Sequence, residues 1–98
     1  MKTRELIPID LVCQQYSVPV DFINRLQEFQ LIEITVENNI FFITKSQVKK
    51  FEKIARLHYD LEINIEGIDA IYNLLDQVNS LKKEIINLNN RLRLYEDL

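Results

Sequence analysis

Residues 56–77 read RLHYDLEINIEGIDAIYNLLDQ and pass without a break into VNSLKKEIINLNNRL at residues 78–92. From Ile71 the apolar positions step by three and four, through Leu74, Val78, Leu81, Ile85, Leu88 and Leu92 to Tyr95, which is coiled-coil spacing sustained over roughly three heptads. The spacing predicts one amphipathic helix from about Ile65 to Tyr95, about 45 Å long at 1.5 Å per residue. Asn64 is placed to cap its start, with Glu66 favourable near the positive end of the helix dipole. Asn87, Asn89 and Asn90 lower the intrinsic propensity, so fraying past Asn90 is expected unless a partner supports it. Early in the helix Ile65, Ile68, Ile71, Tyr72, Leu74, Leu75 and Val78 cover a wide arc, which implies two neighbours, whereas after Leu81 the narrower stripe suits one partner helix. A lone chain does not easily bury such a stripe. Val78, Leu81, Ile85, Leu88 and Leu92 are therefore the candidate self-association residues, and a homodimer or a mixed pairing is expected.

Working back toward the N-terminus, Val48, Phe51, Ile54, Leu57 and Leu61 recur at helical spacing after Thr44, a residue whose hydroxyl suits an N-cap. Within that linking helix Glu52–Arg56 and Arg56–Asp60 have i,i+4 ion-pair spacing. Before it, Leu31–Glu37 and Ile40–Ile43 are β-rich runs separated by Asn38-Asn39, a hairpin signal because asparagine tolerates the left-handed backbone of a two-residue turn. Earlier still, Pro8 precedes a helical pattern from about Ile9 to Gln15, and Ser17-Val18-Pro19 reads as a turn into a second helix whose buried side is Phe22, Ile23, Leu26 and Phe29. Two short helices, a tight turn and a hairpin make a winged helix-turn-helix. The expected fold is mainly α, in one compact unit: a winged head with its linking helix over residues 1–61, and a long coiled-coil-type C-terminal helix over 62–98.

Composition narrows the function. The 98 residues are 47% apolar with one glycine and two prolines, enough for a small core and few loops. There is neither an apolar run of spanning length nor a signal-peptide pattern, so a cytoplasmic protein without membrane attachment is expected. Cys13 is the only cysteine, which excludes an intramolecular disulfide and thiol-pair zinc sites, and its neighbours Leu11, Val12 and Tyr16 suggest a buried structural thiol.

A winged helix-turn-helix invites a DNA-binding reading, and charge opposes it. The net charge is −3, and over residues 1–44 Lys2, Arg4 and Arg25 stand against Glu5, Asp10, Asp21, Glu28, Glu33 and Glu37. The second helix offers Asn24, Arg25, Gln27 and Gln30 against Asp21 and Glu28, a poor phosphate reader. Lys45, Lys49, Lys50, Lys53 and Arg56 form the best basic cluster, but no aromatic residue interleaves with it in the way single-strand binding favours, and helix-surface pairing accounts for part of it. Catalysis has no foothold either. His58 is the sole histidine, has no partner at metal-ligand spacing, and beside Tyr59 reads as a packing or surface residue. With Gly67 alone no glycine-rich phosphate loop exists. Neither an enzymatic activity nor a cofactor is expected.

The succession of helix-turn-helix, wing, linking helix and long terminal helix resembles the MerR-like superfamily. More narrowly, Arg56-Leu57, Asp60-Leu61, Asn64, Gly67-Ile68, Leu74-Leu75-Asp76 and Leu81-Lys82 resemble, in order and spacing, the chaperone-modulator family of CbpM type. The likeness covers the second half of the chain, and the first half resembles a divergent MerR-like head. Residues 22–32, FINRLQEFQLI, depart from DNA-binding MerR proteins, which usually carry a basic, tyrosine-rich helix there. The resemblance implies a protein that binds the J-domain of a DnaJ-like, CbpA-type co-chaperone, competes for the surface that engages Hsp70, and opposes the co-chaperone's own DNA binding. J-domains present a basic helix, so a competitor should offer acids beside apolar anchors. On the face where Glu66, Asp69, Asn73 and Asp76 fall at relative positions 0, 3, 7 and 10, the acidic candidates are Glu66, Asp69 and Asp76, joined by Asp60 and Glu62. Tyr59, Ile63 and Tyr72 are the candidate anchors. Two other readings are a MerR-like DNA-binding transcription regulator, dimeric through its distal helix, and a purely structural oligomer.

Overall fold

The computed structural model describes residues 5–97. Its elements run β1 (Leu6–Pro8), α1 (Ile9–Tyr16), α2 (Val20–Glu28), β2 (Thr35–Glu37), β3 (Ile40–Thr44), α3 (Lys45–Tyr59) and α4 (Ile65–Glu96). The architecture is mainly α with a small antiparallel sheet, as the periodicities predict. Two compact units divide between Ile68 and Asp69. The reason is burial: Ile65 and Ile68, in the first turn of α4, are 2% and 0% exposed and belong to the head's core.

Short helices need defined ends, and here the backbone supplies them. At the close of α1 Ser17 adopts φ 56° and the Val18 N–H donates to the Cys13 carbonyl at 3.0 Å. At the close of α2 Gln30 adopts φ 60°, its N–H donates to Gln27 O, and the Leu31 N–H reaches Leu26 O at 2.9 Å. These are Schellman-type ends, in which the residue beyond the turn packs back on the helix. Val18 and Leu31 are accordingly buried. That geometry corrects one expectation: Leu31 and Ile32 are buried turn residues, not strand, and β2 starts only at Thr35.

The Asn38-Asn39 turn is as expected, with φ of 51° and 63° and the register Glu37↔Ile40 on either side. The first strand was not anticipated. β1 pairs antiparallel with β3, from Leu6↔Thr44 to Pro8↔Phe42, giving the order β1-β3-β2. Proline is admissible there because β1 is an edge strand. The ladder extends by a bond from the Lys45 N–H to Glu5 O, with the two side chains 3.5 Å apart.

α3 presents Phe51 and Ile54, both 0% exposed, to a core that also contains Val12, Phe22, Ile23, Leu26 and Ile43. Phe51 meets Tyr16 and Phe22 edge-on at 5.5 and 5.9 Å. Cys13 is buried, as its neighbours suggest, and burial followed by the charge of Asp10 pushes its thiol above the usual range. Three local expectations for α3 change. Leu61 lies beyond the helix end and is 65% exposed. Thr44 occupies the cap position without a capping bond, its Oγ1 lying 3.1 Å from Ser46 Oγ instead. Arg56 reaches Glu52 at 2.8 Å and makes no ion pair with Asp60.

Candidate interaction surface

The segment joining α3 to α4 is built from a few directional bonds. The Ile63 carbonyl accepts from His58 Nδ1–H at 2.9 Å, and the Ile63 N–H donates to Leu57 O at 3.1 Å. Between them Glu62 takes φ 56°, unusual for a residue with a side chain. Asn64 then caps α4, its Oδ1 accepting from the Gly67 N–H at 2.8 Å. His58 therefore has a structural role: its ring stacks on Phe22 at 4.9 Å and its Nδ1 proton holds the link.

This scaffold sets out the head's share of the candidate partner-binding residues. Tyr59 rests its ring on Phe22 and His58, at 5.2 and 4.8 Å, yet remains 48% exposed. Asp60 and Glu62 are exposed, and among the described residues no cation pairs with either. Ile63 is half-buried with both backbone groups engaged, so Tyr59 is the more accessible anchor. Glu66 is not a free acid, because Arg25 of α2 lies 3.2 Å from its carboxylate. Such a bond, between residues 41 apart in sequence, has no local signature.

Beside Tyr59 is an open hollow of about 440 Å³ lined by Tyr16, Glu52, Arg56, Tyr59 and Asp60, among others. The Tyr16 hydroxyl donates to Glu52 at 3.5 Å, and its phenol is held above the usual range by burial, then by the Glu52 charge. The sequence marks Tyr16 only as a neighbour of Cys13 and Glu52 only as an ion-pair partner of Arg56, and nothing in their spacing on separate helices brings the two together.

The remaining candidates stand on α4 within the second unit. Asp69 and Tyr72 are half-buried, with burial raising the Tyr72 phenol, and Asp76 is exposed. Further along, Val78, Leu81, Ile85, Leu88 and Leu92 are between 43% and 60% exposed, and Ile86, Leu94 and Tyr95 are exposed too. The helix continues to Glu96, past the asparagines at which fraying was expected.

The recognition-type helix α2 shows Asn24, Arg25, Gln27 and Glu28 to solvent, with Arg25 already engaged by Glu66. Lys49 and Lys53 on α3 are exposed. Among the described residues no group of three or more histidine, cysteine or acidic side chains is arranged to hold a metal, and no helix is long and apolar enough to cross a membrane.

A winged helix-turn-helix head followed by a linking helix and a long amphipathic helix defines a class of regulatory proteins. The chain belongs to the MerR HTH family of regulatory proteins, whose pattern it matches over residues 7–90. It is also 24% identical over 95 residues, 94% of each chain, to the chaperone modulatory protein CbpM of Pseudomonas putida (strain W619). The family likeness read from the second half of the sequence thus extends over nearly the whole chain.

Proposed function

We propose that this protein is a noncatalytic regulator that binds and inhibits the J-domain of a DnaJ-like, CbpA-type co-chaperone in the cytoplasm, limiting its engagement of Hsp70. The carrying observation is an exposed aromatic, Tyr59, flanked by the unpaired carboxylates of Asp60 and Glu62. An apolar anchor inside an acidic rim complements a basic helix, and such charge steers encounter as well as adding affinity. Ile63, Glu66, Asp69, Tyr72 and Asp76 complete the contact set. The near full-length likeness to a chaperone modulatory protein supports the same reading. The distal stripe from Val78 to Leu92 pairs two copies of the chain, since those side chains otherwise stay wet.

Calorimetric titration with the isolated J-domain of a CbpA-like co-chaperone tests it. Saturable micromolar or tighter binding is expected, weakened by Asp69→Lys with Asp76→Lys and by Tyr59→Ala while circular dichroism is unchanged. Absence of binding at micromolar concentration, or indifference to all three changes, removes the proposal for that partner.

Family membership and the exposed Lys49 and Lys53 favour a second reading, a DNA-binding transcription regulator. It requires salt-sensitive binding of duplex DNA whose salt slope flattens in Lys49→Ala and Lys53→Ala.

A further inference from the structure

The head has a second exposed apolar region, and none of its residues belongs to the set proposed for the J-domain. A groove of about 300 Å³ runs between the start of α1, α2 and the wing, lined by Ile9, Asp10, Val20, Ile34, Ile40 and Phe41. Val20, Ile40 and Phe41 are each 44% to 56% exposed. The pleat explains why Phe41 stands there. Side chains alternate along β3, so Phe41 shares a face with Ile43, which is 0% exposed in the core. Phe41 and its cross-strand partner Val36 therefore carry the core face of the sheet outward, past the helices that cover Ile43, into solvent. The turn does not require this apolar pair, because Asn38-Asn39 already supplies the left-handed backbone that closes the hairpin.

The charge around the groove selects its occupant. α1 carries Asp10 and no base, and the wing carries Glu37 and no base. α2 carries Asp21 and Glu28, and its one cation, Arg25, is committed to Glu66 at 3.2 Å. Nucleic acid is read through phosphate neutralisation and donor-rich side chains. Here the lining is mostly apolar, with Asn24 and Asn39 as its amides and Asp10 as its one charged side chain, and the free charges of the surrounding elements are carboxylates, a balance that disfavours phosphate. The same features suit a protein segment that places one large apolar side chain in the groove and a lysine or arginine beside Asp10. Aliphatic and aromatic anchors in a pocket with a complementary charged rim are the usual form of such recognition.

We propose that the groove between α1, α2 and the wing docks a cationic, apolar-anchored segment of a partner protein. The surface that would face a duplex in a DNA reader has become a peptide-binding surface in this chain. It serves a contact separate from the J-domain contact.

Selection of a phage-displayed random peptide library against the full chain, followed by fluorescence anisotropy with the enriched synthetic peptides, tests this without any J-domain. The expected consensus is a bulky apolar residue next to arginine or lysine. Phe41→Ser should weaken the selected peptides at least tenfold, and Asp10→Asn should weaken them several-fold and reduce the salt dependence. Ile40→Ser serves as a second variant, and the exposure of both side chains keeps the fold intact, as circular dichroism would verify. Amide signals of Val20, Asn24 and Phe41 should shift on peptide addition. An acidic consensus, no consensus, or binding indifferent to Phe41→Ser and Ile40→Ser overturns the proposal. So does duplex DNA shifting those same signals, or Phe41→Ser dissociating a larger species, which would show a second copy of the chain covering the groove.

Discussion

In α3 and in the distal part of α4 the apolar residues follow the same step of three and four, and they meet opposite fates. Phe51 and Ile54 are fully buried, whereas Leu81, Ile85, Leu88 and Leu92 are all more than half exposed. Helical period identifies the face that must be covered, and burial additionally needs a neighbour. In the head α1, α2 and β3 provide that neighbour, with Phe22 and Tyr16 closing on Phe51. On α4 the large apolar side chains from Leu74 to Leu92 stay exposed among the described residues, so the head is a folded core and, on the proposed reading, the distal stripe is half of an interface.

The largest test of this contrast charges the distal stripe. Leu81→Asp with Leu88→Asp removes two side chains from each of two copies, and at about 1.5 kcal/mol each this weakens dimerisation roughly ten-thousandfold or more. Analytical ultracentrifugation should then show monomer, and circular dichroism should lose distal helix while near-ultraviolet signals of the head persist. If the size is unchanged, the stripe is not the self-association surface. Within the head Phe51→Ala should cost about 3–5 kcal/mol by urea unfolding, because it opens a cavity between packed rings. The equivalent Leu88→Ala should leave the head's unfolding midpoint in place.

A smaller effect belongs to the turn that begins α4. Asn64→Ala removes the cap on the Gly67 N–H and should cost about 1 kcal/mol. Gly67→Ala sharpens the point, since alanine normally gains about 1 kcal/mol over glycine inside a helix. Here a Cβ would lie 2.9 Å from both Asn64 Oδ1 and Ile63 Cγ2, so the cap must give way. The variant should be no more stable than the parent, and a clear rise in Tm would show that the cap tolerates displacement. Smallest of all, Arg25→Ala should change head stability by less than about 1 kcal/mol, since its pair with Glu66 is more than half exposed.

What the sequence made legible follows from range. The Asn38-Asn39 turn, the Asn64 cap and the extent of α4 are set by residues within a few positions of one another, and each was readable. β1 was not, because three residues ending in proline carry no alternating pattern and pair only with a strand more than thirty residues away. The engagement of Glu66 by Arg25 was hidden for the same reason, so the acidic strip looked freer than it is. Thr44 misled because its hydroxyl has a nearer companion in Ser46 than the backbone it was expected to cap. At the candidate surface residue types were visible from spacing alone, but the stacking that keeps Tyr59 beside Phe22 and His58 was not.

Five residues of the described chain adopt left-handed backbone, Ser17, Gln30, Asn38, Asn39 and Glu62, and none is glycine. The only glycine sits inside a helix. A side chain at a left-handed position costs about 1–2 kcal/mol in the native state, less for asparagine. It also narrows what the unfolded chain can sample, which offsets part of that cost. The bends of this head are thus written with residues that resist bending anywhere else, so a denatured chain has few loose joints from which to form competing turns. Glycine at Gln30 or Glu62 would relax the native bend and at the same time multiply the disordered states available, making these two positions balance points between native strain and the freedom of the unfolded ensemble.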